Sequence, residues 1–405
     1  MNEQYLKDRI ETPPLGAGGL YIHIPFCKQA CHYCDFHFST TMGKKDAMVA
    51  ALQKELVLRK DEFKEVTVET IYFGGGTPSV LTIDELRLLI DTVYENYIVS
   101  KDPEITIEVN PDDLIGNQMS LRAQSRSIFE EYLEVGINRL SIGIQSFFDE
   151  DLKLMNRAHS AIEAEKSLSE AIRHFDNISI DLIYGIPNMG KDRWKENLER
   201  ALSFNIPHIS SYALTVEPKT ALAAFIKKGS IKPLDDGVAQ EHFNILLKVL
   251  EGEGYVNYEI SNFGKQGYFS KNNTAYWLGK KYIGIGPSAH SYDGERRGWN
   301  IKNNPKYIKS IEKGELPRTV EVLSKTDRYN EYVMTGLRTI WGVSFSRIKE
   351  EYGDTYFVYL QDSAKRHLEQ QLLVVDEGNL MATKKGKFLI DGIASDLFML
   401  NLNQP

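Results

Sequence analysis

Cysteine is scarce in this chain of 405 residues, which contains only three, all between positions 27 and 34. Three cysteines crowded into eight positions do not form a disulfide framework. No stretch approaches the roughly 18 consecutive apolar residues of a membrane span. Residues 1–20 are polar and then rich in proline and glycine, without the basic start and apolar run of a secretory signal. These absences predict a cytoplasmic protein with reduced thiols.

Basic residues are also fewer than acidic residues. The chain has 48 Lys and Arg against 56 Asp and Glu, a formal net charge of −8. Such a field repels nucleic acid and anionic membranes, so we expect no nucleic-acid partner. The hydrophobic content of 42% is ordinary for a globular protein, and the length exceeds what one core usually serves. We therefore expect one large domain and a smaller one.

Short β-rich runs alternate with helical patterns through the first half of the chain. Predicted strands cover residues 20–24, 70–73, 104–109, 139–144, 178–184 and 208–214. Predicted helices cover residues 46–60, 83–97, 127–135, 162–175 and 192–204. Six strands with five crossovers predict an α/β fold, an incomplete (β/α)6 TIM-like barrel, with an open doubly wound sheet as the alternative. In either fold, functional residues follow the carboxyl ends of the strands.

The pattern changes after about residue 215. A helix near 238–252 and a strand near 255–260 precede an aromatic, glycine-rich stretch over 263–299. From about Asn304 the pattern becomes helical, with helices over 325–340, 345–351 and 356–370, a hairpin of 372–375 with 380–382, and a last helix over 385–400. These elements predict a smaller α+β, winged-helix-like C-terminal domain. The predicted divisions are an N-terminal segment 1–18, a barrel with its extension 19–300, and a C-terminal domain 301–405; the polar segment 116–126 has no assignment.

The three cysteines, Cys27, Cys31 and Cys34, follow the first predicted strand directly. A loop there can wrap three thiolates around one face of a cubane, and sulfur ligands suit iron–sulfur chemistry. Three ligands leave one iron open to a small chelating molecule, such as the amino acid end of S-adenosylmethionine. The spacing therefore predicts a [4Fe–4S] cluster.

Three other interpretations of the cysteines stay open at this point. A Cys₃His zinc site is one, because His23, His32 and His37 lie close by in the sequence. A thiol redox switch is another, and three unrelated buried cysteines are the third.

Polar or glycine residues follow each of the next strands. The turn at Gly75 lets a backbone approach a ligand and offers N–H groups to carboxylate or phosphate oxygens, unless it is a plain tight turn. The carboxylate of Glu108 could bind an ammonium or sulfonium group of a ligand, or it could pair with a structural lysine. The side-chain amide of Gln145 could form a hydrogen bond to a ligand. The fork of Arg157 suits a carboxylate, with a surface ion pair as the alternative. Asp181 in an apolar strand needs a partner, for which ribose hydroxyls are candidates.

Together these motifs closely resemble the radical S-adenosylmethionine superfamily, in the branch of oxygen-independent coproporphyrinogen III oxidase and its haem-chaperone relatives. The resemblance runs from about residue 19 to the end of the chain. It includes residues 330–338, which look like the start of the C-terminal domain of that branch. The motifs that carry it are YIHIPFC (21–27), GGGTP (74–78), LSIGIQSF (140–147) and DLIYGIP (181–187).

The resemblance implies a role for individual residues. It implies cluster ligation by Cys27, Cys31 and Cys34. It implies contacts to a first S-adenosylmethionine from Tyr21, Tyr33, Gly75 and Glu108. The oxidases hold a second such molecule, and the residues that match its contacts are Gly76, Thr77, Gln145, Arg157 and Asp181. Whether one or two molecules bind here is left open, and no catalytic residue is assigned.

Two departures from the oxidases point to the haem-chaperone group. The oxidases carry a further cysteine two positions after the third, where this chain has Phe36, and they have a longer N-terminal segment. The resemblance then implies haem or porphyrin as a ligand and transfer of haem to an acceptor, such as a respiratory, membrane-associated protein. The alternative is a radical enzyme that acts on a porphyrin-like substrate, as a coproporphyrinogen III dehydrogenase or a methyltransferase.

A third departure concerns the haem ligand. The chaperone group commonly shows the motif HNxxYW after the barrel, and this chain has Asn272 in place of its histidine. Asparagine cannot replace imidazole as a strong iron ligand. The nearest remaining imidazole belongs to His290, which makes it the candidate ligand, although a lone histidine beside a glycine-rich strand is more often structural.

Overall fold

Six parallel strands form the centre of the protein. The structure, a computed structural model, describes residues 17–116 and 126–400. Most of the predicted N-terminal segment 1–18 and most of the unassigned polar segment therefore lie outside the described residues, and residues 17 and 18 belong to the first strand. The strands are β1 (Ala17–Ile24), β2 (Thr67–Gly75), β3 (Val99–Val109), β4 (Arg139–Gln145), β5 (Ile178–Tyr184) and β6 (His208–Ala213). Each pairs in parallel with the next, as the sequence predicted.

Helices fill the crossovers between these strands. They are α1 (Lys45–Leu58), α2 (Ile83–Asn96), α3 (Pro111–Gly116), α4 (Ile128–Glu134), α5 (Asp149–Leu154), α6 (Ala161–Ala171) and α7 (Lys191–Ser203), with 3₁₀ turns at Lys60–Phe63 and Pro78–Val80. Three of them begin at a capping box, in which a Ser or Thr side chain and the Glu three residues later satisfy each other's backbone N–H groups. The five predicted helices are confirmed, and the short α3 and α5 were not predicted.

The sheet curls into a partial barrel. Side chains from five successive strands line one small polar cavity of about 50 Å³, namely Tyr72, Thr106, Ser141, Ser179 and Ser210. Side chains of a flat sheet would not converge in this way, because neighbouring strands lie about 4.8 Å apart and five of them would spread over about 19 Å. The predicted incomplete (β/α)6 TIM-like barrel is therefore confirmed, and the open doubly wound alternative is wrong.

Further strands extend the sheet at both edges. They are β7 (Val256–Glu259), β8 (Asn262–Gly264), β9 (Lys281–Ile285), β10 (His290–Tyr292), β11 (Arg296–Asn300) and β12 (Arg318–Val322). The helices α8 (Ala221–Lys227), α9 (Asp236–Gly252), α10 (Lys271–Trp277) and α11 (Asn304–Glu312) lie among them. Strand β9 pairs with β1 and β8 with β6, which gives one twelve-stranded sheet within the described residues. The helical pattern predicted from Asn304 is wrong over β12, because that segment pairs with β11, and its β-branched residues in Arg-Thr-Val-Glu-Val favour a strand.

A second, smaller core begins at Tyr329. Its elements are α12 (Lys325–Leu337), β13 (Val343–Ser344), α13 (Phe345–Arg347), a π-helical turn (Ile348–Tyr352), α14 (Asp354–Glu369), β14 (Leu373–Asp376), β15 (Asn379–Ala382), α15 (Lys384–Lys387) and α16 (Ile390–Asp396). The predicted hairpin is present as β14 and β15, so the α+β character of this domain is confirmed. The predicted domain limits stay predictions; Tyr307 and Ile311 of α11 still belong to the larger core.

The last helix was predicted as one element and is two. Gly386 lies against the carbonyl oxygen of Leu372, where an added Cβ would come within 2.0 Å of that oxygen. This contact packs α15 against Leu372, and the chain turns at Leu389 before α16 begins. In the described part of the chain, every helix is too short or too polar to cross a bilayer.

The buried carboxylate of Glu55, on α1, fastens the strand extension to the barrel. It accepts hydrogen bonds from the N–H of Gly286 at 2.8 Å, the amide of Asn300 at 2.8 Å and the hydroxyl of Tyr307. It also pairs with the buried guanidinium of Arg59 at 3.3 Å. Because these partners come from distant parts of the chain, this one carboxylate fixes the positions of β9, β11 and α11 relative to α1.

We expect Glu55→Gln to lower the free energy of unfolding by about 2 kcal/mol, because a neutral amide cannot accept all of these buried hydrogen bonds. Arg59 keeps an ion pair with Glu62 at 2.9 Å, so its charge is not left unpaired. Urea denaturation of the metal-free protein measures this loss. The matched control is Glu170→Gln, which breaks the exposed ion pair with Arg173 and should cost less than about 1 kcal/mol. Equal losses in the two variants would contradict the role of Glu55.

Candidate functional site

The cysteine loop after β1 is held on the segment that follows α5. The side chain of Gln29 donates to the carbonyl oxygen of Asn156 at 2.9 Å, and the amide of Asn156 donates back to the carbonyl oxygen of Ala30 at 2.8 Å. The backbone N–H of His32 donates to the carbonyl oxygen of Met155 at 3.0 Å. Together with the bond from the N–H of Cys27 to the carbonyl oxygen of Ser39 at 3.1 Å, these bonds position the thiols.

Arg157, in the same segment, reaches across the site. Its guanidinium donates to the sulfur of Cys31 at 3.3 Å, to the side-chain oxygen of Asn110 at 2.6 Å and to the carbonyl oxygen of Gly143 at 3.0 Å. Asn156 precedes it with φ of 57°, a left-handed conformation that Asn tolerates better than most residues. Arg157 thereby connects the cysteine loop to the ends of β3 and β4; the surface ion pair offered as an alternative is wrong.

The glycine turn at the end of β2 is built for close packing. Gly75 has φ of 108°, and an added Cβ would lie 2.3 Å from the ring of His23. The predicted role of its N–H groups needs correction, because the protein itself uses them. Gly75 donates to the carboxylate of Glu108 at 3.1 Å, Gly76 to Ile24 at 2.9 Å, and Thr77 to Phe26 at 2.7 Å.

Two carboxyl groups face the site from β3 and β5. Burial raises the pKa of Glu108 to about 7; nearby Asp181 adds to this, while hydrogen bonds from Tyr72 at 2.8 Å and from Gly75 act against it. Burial likewise raises the pKa of Asp181 to about 6. A hydrogen bond from Ser210 and the positive charges of Arg157 and Arg139 act in the opposite direction and lower this pKa. The lysine partner offered as an alternative for Glu108 is wrong. Among the described residues neither acid forms a direct ion pair, and Glu108 in particular is suited to bind a positively charged ligand.

Gln145 ends β4 in a strained backbone conformation. Its φ is 66°, and the pairing with β5 shifts register between Ile142 and Gln145. Such strain in a residue other than glycine persists only where the surroundings enforce it, and it often marks a functional site. The bulge directs the Gln145 side chain into the cavity at the mouth of the barrel.

One cavity of about 530 Å³ brings nearly all of the predicted residues together. Its lining includes Cys27, Cys31, Tyr33, Cys34, Gly75, Gly76, Thr77, Glu108, Gln145, Arg157 and Asp181. Of the predicted residues, only Tyr21 lies elsewhere, in the wall of the neighbouring cavity. The volume is that of a small-molecule site. Burial raises the pKa of the Cys27 and Cys34 thiols to about 11, so a metal is needed to hold them as thiolates.

The histidines near the cysteines are engaged with the protein. The Nε2–H of His23 donates to the carbonyl oxygen of His37 at 2.9 Å, and its Nδ1 accepts from Tyr21 at 3.2 Å. Burial lowers the pKa of His23 to about 4, which keeps this ring neutral. His32 donates to the carbonyl oxygen of Leu154 at 2.8 Å. His23 therefore has no nitrogen left for a Cys₃His zinc site.

A second cavity of about 700 Å³ adjoins the first, and Asp35, Phe36, Gly75, Glu108 and Tyr212 line both. Aromatic rings and basic side chains make up much of its remaining wall. These are Tyr276, Trp277, Tyr282, Lys280, Lys281, Lys302 and Arg338. Both Asn272 and His290 also line this cavity, although they are far apart in the sequence.

Several residues of the site were not predicted from the sequence. Asn110 bonds Arg157 and donates to the hydroxyl of Thr77 at 3.2 Å, and Tyr72 bonds Glu108. Tyr212, near the end of β6, lines both cavities. Their only sequence signal is a polar side chain near the carboxyl end of a predicted strand, which many structural residues share.

Comparisons with known proteins agree with this geometry. Residues 21–201 match the radical SAM superfamily, and residues 323–389 match the HemN C-terminal domain. The heme chaperone HemW of Bacillus subtilis (strain 168) is 34% identical over 373 residues, which cover 91% of this chain and 96% of that protein. The mitochondrial radical S-adenosyl methionine domain-containing protein 1 of Mus musculus is 30% identical, over 92% of this chain and 86% of that protein.

A solved structure shares the fold. Coproporphyrinogen III oxidase (HemN) from Escherichia coli, a radical SAM enzyme, superimposes with a TM-score of 0.79. The match covers 98% of this chain and 94% of that chain, at 24% identity. At this identity the likeness shows the fold alone.

We expect Gly75→Ala to disrupt the turn, because its Cβ would overlap the ring of His23 and L residues are strained at this φ. The expected cost is at least about 1–3 kcal/mol of stability, together with a lower iron content in the purified protein. Gly43→Ala is the matched control, since an added Cβ there meets no atom within 4 Å. Unchanged iron content and thermal stability in Gly75→Ala would contradict this account of the turn.

Proposed function

We propose that this chain, which belongs to the radical SAM superfamily as a HemW-like member, is a haem chaperone that binds haem beside its cluster site and passes it to an acceptor protein. Membership of the superfamily implies a [4Fe–4S] cluster and S-adenosylmethionine. The observation that carries the proposal is the shared wall of the two cavities, one lined by the three thiols and one by aromatic and basic side chains.

The residues of the first cavity fit a cluster with an open iron. Three thiols line it, and none of His23, His32 and His37 is among the described residues that line it. Cys27, Cys31 and Cys34 would hold the cluster, which when bound supplies one electron for cleavage of S-adenosylmethionine. The protein orients the thiols through the bonds between residues 29–32 and residues 154–157.

Iron and sulfide analysis of anaerobically prepared protein tests this part of the proposal. We expect about four irons and four sulfides per chain, as the cluster formula requires, and a loss of both in Cys31→Ala. Zinc without sulfide would contradict the cluster and support a zinc-stabilised binding protein instead.

The acids of the first cavity fit the cationic parts of S-adenosylmethionine. Glu108 is held in place by Tyr72 and Gly75, so one carboxylate is oriented before the ligand binds. We assign it to the ammonium or sulfonium group, and Asp181 to the ribose hydroxyls. Tyr33, Gly76, Thr77, Gln145 and Arg157 complete the proposed contacts, and Tyr21 supports them indirectly through its hydroxyl on His23.

Binding of S-adenosylmethionine should depend on pH through Glu108. Its pKa of about 7 means that the carboxyl is protonated at pH 6 and must release that proton to pair with a cation. The affinity should therefore fall by up to about tenfold for each pH unit below 7. Equilibrium dialysis across this range measures the slope.

The matched variant is Glu108→Gln, which keeps the shape of the side chain and cannot titrate. This variant should bind S-adenosylmethionine more weakly than the wild type at pH 8. Its affinity should also lack the part of the pH dependence that comes from Glu108, whereas titration of the ligand itself affects both proteins equally. Identical slopes in the two proteins would contradict the assignment.

The second cavity has the properties of a tetrapyrrole site. Its volume of about 700 Å³ lies in the range of sites that enclose organic ligands. Haem is a flat apolar ring with two carboxylates, and the cavity offers aromatic rings beside lysines and an arginine. Arg338 lies over the ring of Trp277 at 5.1 Å, which places a cation at the edge of an apolar surface.

His290 is the imidazole in this cavity best able to ligate haem iron. Of the histidines that line it, His23 has both nitrogens bonded, and His37 bonds Asn304 at 2.7 Å. The ring of His290 lies beside Trp299, with the two ring centroids 6.2 Å apart and the rings tilted, and it has no hydrogen-bond partner in the described part of the chain. Asn272 instead accepts a hydrogen bond from Thr70 at 3.2 Å.

Haem titration tests the site. We expect His290→Ala to weaken haem binding at least about tenfold, as the loss of one strong interaction does, and to alter the Soret spectrum. His174→Ala, outside both cavities, is the control, and Asn272→His should add a ligand and sharpen the spectrum. If all four proteins bind haem alike, this site is wrong. Transfer is measured separately: haem-loaded protein is mixed with excess apomyoglobin, and the movement of haem to apomyoglobin is followed.

The shared wall also favours a second candidate, a radical enzyme acting on a porphyrin-like substrate. A molecule in the second cavity lies next to the first one, where S-adenosylmethionine would bind. Anaerobic incubation with coproporphyrinogen, with 5′-deoxyadenosine quantified, separates the two functions. Substrate-coupled formation of that product would replace the chaperone proposal with the enzyme.

A further inference from the structure

Arg157 makes a contact that the proposed binding of S-adenosylmethionine does not require. Its guanidinium donates to the sulfur of Cys31 at 3.3 Å. Among the described residues, no other cationic side chain hydrogen-bonds a cysteine sulfur. The charge of this arginine therefore acts directly on one of the three proposed cluster ligands.

The surroundings fix the guanidinium without neutralising it. Its other hydrogen-bond partners are uncharged, namely the amide oxygen of Asn110 at 2.6 Å, the carbonyl oxygen of Gly143 at 3.0 Å and the side chain of Tyr33. Asp112 and Asp181 interact with its charge only from beyond ion-pair distance. No carboxylate forms an ion pair with Arg157 in the part of the chain that the structure describes. A fixed, unpaired positive charge in a sheltered cavity interacts strongly with a nearby change of charge.

We propose that Arg157 sets the reduction potential of the cluster, as a positioning residue acting through Cys31. This inference rests on the proposed cluster. Reduction takes [4Fe–4S]²⁺ to [4Fe–4S]⁺ with one electron from an external low-potential donor; no bond breaks, and the guanidinium keeps its proton. The reduced cluster carries one more negative charge, so the positive charge and the hydrogen bond to sulfur stabilise it and raise the potential.

A redox titration with dithionite, followed by electron paramagnetic resonance, tests the inference. It uses reconstituted full-length protein without S-adenosylmethionine, because a residue that only contacts this ligand would then have no effect. Arg157→Gln should reduce the equilibrium constant for one-electron reduction at least tenfold, which is a drop of about 59 mV. Arg200→Gln, which removes an arginine paired with Glu196 on the surface, should leave the potential unchanged.

Iron and sulfide are measured first, so that failure of the proposed function can be distinguished from failure of the inference on Arg157. If the wild type holds no cluster, the proposed function fails. If wild type and Arg157→Gln hold equal clusters with equal potentials, only the present inference is overturned.

A measurement on the wild type covers the case in which Arg157→Gln does not assemble a cluster. Protein labelled with ¹⁵N-arginine should show a weak ¹⁵N hyperfine coupling to the reduced cluster in pulsed electron paramagnetic resonance. Absence of this coupling would mean that no arginine touches a ligand sulfur, which overturns the inference.

Discussion

The hydrogen bonds between residues 29–32 and residues 154–157 are the interaction on which the rest of the site depends. A loop with three thiols and no disulfide has no local structure to fix it, and ordering it costs conformational entropy. Each bond contributes about 1 kcal/mol, so the set offsets part of that cost. Because the left-handed Asn156 directs Arg157 inward, the same contact also fixes the charge beside Cys31 and connects the loop to the ends of β3 and β4.

The site trades stability for binding. The pKa values of Glu108 and Asp181 are raised by burial, so both groups stabilise the folded chain most when protonated at low pH. That contribution is lost progressively as the pH rises from about 4, the ordinary pKa of such groups, to their raised values of about 6 and 7, because the charged carboxylates are poorly solvated. A bound cationic ligand replaces the favourable interactions with water that the charged carboxylates lost on burial. Binding sites often carry such a cost in stability.

The two adjoining cavities connect the proposed roles. Phe36, in the position where the oxidases have a further cysteine, is 68% exposed and lines both cavities. An aromatic ring at this junction suits a flat apolar ligand beside the cluster. The redox role proposed for Arg157 and the haem site proposed around His290 therefore concern neighbouring groups, and haem bound in the second cavity would lie close to the sulfur atoms that Arg157 influences.

Periodicity and spacing are local properties of the chain, and they were enough to predict the six strands, the five helices between them, the hairpin of the C-terminal domain and which residues follow the strand ends. The sequence also placed the cysteines directly after β1. Tertiary structure alone decided the pairing of β12, the break between α15 and α16, the use of the Gly75 N–H by Glu108, and the shared cavity of Asn272 and His290. Each of these depends on atoms that are distant in the chain, and no local pattern records such a contact.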